Sequence, residues 1–174
     1  MARLELQFPV EDMPALAARF PDPGDSEAER TGEAARARGH YTRDELLRVI
    51  EWKSGGRQRR NGARNDAERV VEVTRVALSA RDERLRIAAL LTLDGVSWPT
   101  ASVLLHLAHR DRYPILDVRV LQSLGIFKQV MPNFGFWLEY VDYCRALADR
   151  TGMTMRDVDR ALWQWSSEAG IPLP

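Results

Sequence analysis

The chain has 174 residues with 25 basic and 25 acidic side chains, so its net charge of zero points to no particular class of partner. Its length suits one domain or two small helical lobes. The single cysteine, Cys144, excludes an internal disulfide and a cysteine-ligated zinc or iron–sulfur centre. No apolar run approaches the ~20 residues that span a bilayer, and no signal-peptide pattern opens the chain. We therefore expect a cytoplasmic protein without a membrane partner.

Residues 1–39 are predicted to form an acidic N-terminal segment that is partly flexible, and residues 40–174 a helical domain. Residues 4–8 alternate apolar and polar side chains, which indicates a short extended segment. A short helix is expected over residues 15–20, followed by a linker rich in proline, glycine and aspartate over residues 21–26. Residues 27–39 carry no apolar stripe and indicate a solvated helix or a tether.

Helix signals recur regularly from Tyr41 onward. Thr42 with Glu45 has the pattern of a capping box, in which side chains satisfy the first free amides of a helix. Asn65 with Glu68 repeats this pattern, and Ser79 is the expected cap of the helix that follows.

The second half of the chain continues in the same way. Asp117 is expected to cap a short helix closed by Gly125, and a long helix from about residue 134 to 149 ends at Gly152. Thr154 caps the last helix, with Asp157 three residues later. The predicted fold class is all-α, an orthogonal helical array with short connections.

Residues 93–100 form the most informative segment, and we call them the hairpin. Residues 93–97 read Leu-Asp-Gly-Val-Ser, Pro99 lies in the first turn of the next helix, and Thr-Ala follows. This pattern predicts two helices joined by a tight turn. Free backbone amides at the start of the second helix form a positive site that binds phosphate without a charged side chain.

The hairpin is similar to the Leu-Pro-Gly-Val-Gly…Thr-Ala hairpin of the helix-hairpin-helix DNA glycosylases related to endonuclease III and MutY. Residues 113–120, Tyr-Pro-Ile-Leu-Asp-Val-Arg-Val, resemble the Val-Asp-Thr-His-Val block of the same superfamily, and Pro99 stands eighteen positions before Asp117. The resemblance covers about a third of the chain and implies a glycosylase-like core over about residues 85–125. It is strongest to short, uncharacterised bacterial members that lack the iron–sulfur cluster and the hairpin lysine.

The resemblance implies a site residue by residue. Asp117 corresponds to the catalytic aspartate, which would stabilise the positive charge that develops on the sugar as an N-glycosidic bond breaks. Gly95, Ser97 and Thr100 correspond to phosphate contacts, and Trp98 would either stack on a base or cover the turn. Residues 53–61, which we call the basic loop, correspond to the loop that contacts the distorted strand. Its candidate DNA contacts are Lys53, Arg57, Arg59, Arg60 and Asn61.

Two departures from the superfamily pattern limit the implied chemistry. Pro99 replaces the lysine that forms a Schiff base in bifunctional members, so strand cleavage by that route is not expected. Ser97 replaces the second hairpin glycine and tolerates a positive φ less readily. The implied protein binds double-stranded DNA and, as an enzyme, is a monofunctional base-excision glycosylase without lyase activity. The resemblance implies no organic cofactor, and at most an alkali ion coordinated by hairpin carbonyls.

Other interpretations fit the same residues. An ordinary N-cap explains Asp117 fully, and a protein that retains the glycosylase scaffold can bind nucleic acid without catalysis. A third possibility is a helical protein-interaction module.

Acidic side chains dominate residues 5–33, and basic side chains dominate residues 36–64. This asymmetry indicates either a surface that faces a polyanion or two segments that pair with each other, so that the acidic segment masks the basic loop. The sequence leaves the damaged base and the oligomeric state open.

Overall fold

The structure is a computed structural model that describes residues 4–21, 25–109 and 111–174. The described part of the chain is all-helical, as predicted, and contains no strand. It divides into two compact units. The central unit comprises the described residues between 25 and 111, and the terminal unit comprises residues 4–21 and 112–174. No helix in these ranges is both long and apolar enough to cross a membrane.

The central unit contains six helices. They are α2 (Asp25–Arg38), α3 (Arg43–Ser54), α4 (Arg59–Gly62), α5 (Ala67–Ser79), α6 (Glu83–Leu91) and α7 (Trp98–Ala108). Helix α7 packs against α2, α3, α5 and α6 and is the most buried of them. The hydroxyl of Tyr41, itself fully buried, donates a 2.9 Å hydrogen bond to the carbonyl of Leu104 in the middle of α7. The core of this unit is therefore built around α7.

The terminal unit combines the two ends of the chain. It contains a 3-10 turn (Val10–Asp12) and helices α1 (Met13–Arg19), α8 (Val118–Ser123), α9 (Phe134–Thr151) and α10 (Met155–Glu168). Helix α10 packs against α1, α8 and α9. The expected extended segment before α1 lies along the end of α8, where the amide of Glu5 donates to the carbonyl of Leu124 and that of Gln7 to Ser123.

The division into units differs from the predicted boundary after residue 39. Met13 and Leu16 are buried in the terminal unit, whereas α2 packs on α7 in the central unit. The face of α2 that contacts α7 is lined by small side chains, including Ala28 and Ala35, and therefore shows no stripe of large apolar residues. Part of the predicted linker, residues 22–24, lies outside the described residues.

Several predicted caps are confirmed. Thr42 and Glu45 form a capping box with both hydrogen bonds present, and Thr154 accepts from the amide of Asp157. Gly152 ends α9 with a φ of 67°. The expected cap at Ser79 is wrong, because Ser79 belongs to α5 and Asp82 caps α6 instead.

Gly32 allows α2 and α7 to approach closely. A Cβ atom at this position would lie 2.5 Å from the Cβ of Leu107 and 2.6 Å from its carbonyl oxygen. We expect Gly32→Ala to lower the free energy of unfolding by about 1–3 kcal/mol, because the helix backbones must separate to admit the methyl group. Urea denaturation followed by circular dichroism measures this.

Gly135→Ala is the matched control, since Gly135 also lies in a helix but its Cβ would meet only the Oδ1 of Asn133 at 3.4 Å. This control should be neutral or stabilising by up to about 1 kcal/mol, because alanine has the higher helix propensity. Equal effects of the two substitutions would contradict the close approach.

Candidate hairpin and basic-loop site

The hairpin joins α6 to α7 through a tight turn, as predicted. Gly95 has a φ of 77°, in the left-handed region that favours glycine, and the amide of Val96 closes the turn by donating to the carbonyl of Leu93 at 3.2 Å. The side chains of Leu93 and Val96 are buried and anchor the turn. The turn is therefore fixed by its own backbone and by two core side chains.

Ser97 does not strain the turn. Its φ is −101° and its ψ is 177°, so it is extended backbone, and the expected disadvantage of serine relative to glycine does not arise. Ser97 is the N-cap residue of α7, but its hydroxyl makes no capping hydrogen bond and the residue is exposed. Pro99 lies in the first turn of α7, where its missing amide is not needed.

Two amides of the turn are open. Among the described residues, neither the amide of Gly95 nor that of Ser97 has a hydrogen-bond acceptor. They lie at the N-terminal end of an eleven-residue helix, where the aligned peptide dipoles produce a partial positive charge. This arrangement is suited to an anion such as a phosphate.

The backbone of the hairpin lies directly against that of the basic loop and its continuation in α4. A Cβ atom on Gly95 would lie 2.6 Å from the amide nitrogen of Gly62 and 3.0 Å from the carbonyl oxygen of Gln58. Gly62 is itself buried, and a Cβ there would lie 2.6 Å from the Cδ1 of Ile50 in α3. The two glycines thus bring the turn and the basic loop, which are distant in sequence, into one surface.

Asn65 links the two segments instead of capping α5. Its side-chain amide donates to the carbonyls of Gly62 and Asp94, both at 2.9 Å, and its Oδ1 accepts from the amide of Asp94 at 3.0 Å. The cap of α5 is Asp66, which accepts from the amide of Arg69 at 2.7 Å. The predicted capping box at Asn65 is therefore wrong, because the neighbouring aspartate takes that role.

Arg69 adds a second link that the sequence did not reveal. Its guanidinium donates to the carbonyl of Thr92 and lies 3.6 Å from the carboxylate of Asp94. An arginine in the first turn of a helix is common on protein surfaces and gives no signal by itself. That Arg69 holds the hairpin is seen only in the tertiary structure.

The predicted contacts in the basic loop divide into two groups. Arg59 pairs with Glu51 of α3, and the side-chain amide of Asn61 donates to the Oε1 of Gln58 at 2.8 Å. Arg57 and Arg60 are exposed, and no acidic side chain in the described ranges pairs with them. Lys53 is half-buried and has an interaction within the chain. The free positive charge of the loop is therefore carried by Arg57 and Arg60.

Two predicted contacts on α7 have different surroundings. Thr100 is only 3% exposed and faces the core of the central unit, so its hydroxyl is not displayed on the surface as a phosphate contact. The reason is that Thr100 continues the buried face that also holds Ala101 and Leu104. Trp98 is half-buried at the start of α7 and has an interaction within the chain.

Asp117 belongs to the terminal unit. It caps α8, as predicted, by accepting a 3.0 Å hydrogen bond from the amide of Arg119, and it is half-buried. It follows the buried residues Ile115 and Leu116, which hold the start of α8. A carboxylate at this position is stabilised by the positive end of the helix.

Neither Cys144 nor a cluster of metal-ligating side chains supplies a reactive centre in the described part of the chain. Cys144 is fully buried, and burial raises the pKa of its thiol, which makes it a poor nucleophile. No three His, Cys, Asp or Glu side chains of the described residues are grouped so that they could hold a metal ion.

Comparisons with known proteins do not assign this chain to a family. No protein-family description, curated protein or solved structure matches it.

Gly95→Ala should destabilise the protein more than Gly56→Ala does. Both glycines have a positive φ, 77° and 85°, so an alanine at either position is strained by about 1–2 kcal/mol. Only at Gly95 does the new methyl group also meet backbone, whereas nothing lies within 4 Å of a Cβ at Gly56. We expect a further loss of about 1–3 kcal/mol for Gly95→Ala in urea denaturation. If the two variants unfold alike, the hairpin does not rest on α4.

Proposed function

We propose that this protein binds double-stranded DNA through the hairpin and the basic loop, as a member of the helix-hairpin-helix glycosylase superfamily. The observation that carries the proposal is the contact between these two segments. The open amides of Gly95 and Ser97 lie on a turn whose backbone packs against Gly62, in the segment that follows the unpaired Arg57 and Arg60. A backbone phosphate and a flanking stretch of the same polyanion fit such a surface.

The chemistry of the site suits a phosphate group. The amides supply fixed, uncharged donors at a helix end, and the two arginines supply donors that pair with phosphate oxygens in a bidentate manner. Affinity that comes from neutralising phosphates depends steeply on salt, because bound counterions are released from the DNA.

An enzymatic form of the proposal assigns the base-excision step to Asp117. Its carboxylate would stabilise the sugar cation formed when the N-glycosidic bond breaks, after the nucleotide has left the stack. Lysine occurs only at positions 53 and 128, so the hairpin holds no amine for a Schiff base. The activity would therefore be monofunctional: the base would leave with the bonding electrons, and water would add to the sugar cation with loss of a proton, which leaves an abasic site.

A non-catalytic DNA-binding protein is the second candidate, and the cap at Asp117 favours it. The hydrogen bond from Arg119 gives this carboxylate a sufficient structural role without any substrate. A pure protein-interaction module is less favoured, since Arg59 of the basic loop pairs with Glu51 of α3 and not with the acidic N-terminal segment.

Replacing either open arginine should weaken duplex binding and its salt dependence. For Arg57→Gln and for Arg60→Gln, the slope of log affinity against log salt should become shallower by about 1, because each loses about one phosphate contact. Fluorescence anisotropy with an undamaged labelled duplex at several salt concentrations measures this.

Arg75→Gln is the matched control, because Arg75 is also exposed in the central unit but lies on α5, outside the hairpin and the basic loop. It should keep the wild-type slope. Absence of salt-dependent duplex binding by the wild-type protein would refute the proposal itself, and equal slopes for all three variants would remove the basic loop from it.

Asp117→Asn separates the enzyme from the non-catalytic protein. Asparagine is as good an N-cap as aspartate, so this variant should fold and bind DNA as the wild type does, while losing the carboxylate. Duplexes that carry uracil, hypoxanthine, 8-oxoguanine, alkylated adenine or a mismatch are incubated with each protein and treated with alkali. We expect alkali-dependent strand breaks on one of these duplexes with the wild type and none with the variant.

Breaks that persist in Asp117→Asn would place the chemistry elsewhere. Duplex binding without breaks on any substrate would identify the non-catalytic protein.

A further inference from the structure

The buried side-chain amide of Asn65 donates both of its hydrogens and accepts one hydrogen bond, and all three bonds join it to the hairpin or to α4. It is only 1% exposed. Both amide hydrogens are donated, one to Gly62 and one to Asp94, and the Oδ1 accepts from the Asp94 amide. A primary amide has two donor hydrogens and a carbonyl acceptor, so this side chain bridges the two segments at three points.

The partners of the Asn65 side chain are backbone groups of the hairpin and of α4. Asp94 lies in the turn between α6 and α7, where neither its amide nor its carbonyl belongs to a helix. The carbonyl of Gly62 lies at the end of α4, where it also accepts from the amide of Asn65 itself. Asn65 thus fixes the position of Asp94, which precedes Gly95, relative to Gly62, which Gly95 contacts.

We propose that Asn65 is a positioning residue for nucleic-acid binding, which holds the hairpin amides and the basic loop in the register that lets one stretch of DNA backbone contact both. The inference rests on the proposed function. Asn65 does not touch the DNA, since it is buried. Its contribution is preorganisation, because a surface whose two parts are already fixed loses less conformational freedom on binding.

This role makes the two halves of the site interdependent. The open amides of Gly95 and Ser97 lie one and three residues after Asp94 in the same tight turn, so movement of Asp94 moves both of them. Arg57 and Arg60 precede Gly62 within one short stretch that includes α4. Without the bridge, each half can still contact a phosphate, but not in a fixed relation to the other.

The test compares Asn65→Ala with Gln122→Ala. Gln122 is the matched control because its amide is also buried, with the Oε1 accepting from Ser166 at 2.5 Å and the Nε2 donating to the carbonyl of Pro172 at 2.7 Å, but it lies in the terminal unit. Both variants lose buried hydrogen bonds and should lose stability to a similar extent. Binding is therefore measured at a temperature at which circular dichroism shows both variants to be folded.

We expect Asn65→Ala to bind an undamaged duplex about tenfold more weakly than the wild type, which corresponds to one lost cooperative contact. Its salt slope should also become shallower, because fewer phosphates are neutralised at once. Gln122→Ala should keep the wild-type affinity and slope.

Wild-type binding by a folded Asn65→Ala protein would overturn the inference and leave the proposed function standing. An equal loss of duplex affinity in Gln122→Ala would overturn it as well, since the weaker binding would then follow from the loss of stability alone. A wild-type protein that binds no duplex would overturn the proposed function and the inference with it, and this is seen before any variant is measured.

Discussion

The core of the central unit is built on the burial of α7. Burial removes this helix from water, so the free backbone groups at its two ends need partners from elsewhere. Eight of its eleven residues are buried. The C-terminal carbonyls of a buried helix need donors, and the guanidinium of Arg36 provides them, at 3.3 Å from the oxygen of Leu107 and at 3.2 Å from those of Ala108 and His109. The N-terminal end has no matching partner at Gly95 and Ser97 within the described part of the chain. One end of the core helix is thus closed by the protein itself, whereas two amides at the other end are open.

Local signals in the sequence predicted most of the helices, because a helix end depends on a few neighbouring residues. Thr42 with Glu45, and Thr154 with Asp157, each place a hydroxyl three residues before an acidic side chain, and the structure shows these caps. The same signals fail where two capping residues are adjacent. Asn65 and Asp66 are both good N-caps, and only the position of the hairpin, 29 residues further on, decides that the asparagine turns away from the helix.

The packing of α2 was not predictable from the same kind of pattern. Sequence patterns detect a buried helix face by its large apolar residues, whereas α2 meets α7 with alanines and with Gly32. Close approach of two backbones replaces the burial of large side chains there. For the same reason, nothing in the sequence indicated that Gly95 and Gly62 lie in contact. The sequence therefore indicated the helices and the hairpin, but not the surfaces that they share.

The candidate site shows the same division between local and tertiary information. The hairpin and the Asp117 cap follow from residues close in sequence and were predictable. Which arginine of the basic loop is free depends on where Glu51 lies on α3, and the burial of Thr100 depends on which face of α7 meets the core.

The net charge of zero consequently says little about the partner of this protein. An arginine that pairs with a carboxylate contributes little to the field outside the molecule, because its charge is balanced locally. Arg59 and Arg38 are of this kind. In the basic loop, Arg57 and Arg60 have no such partner among the described residues, and the open helix end adds a partial positive charge. Two cations and a pair of open amides thus make this part of the central unit locally positive in a chain whose total charge is zero.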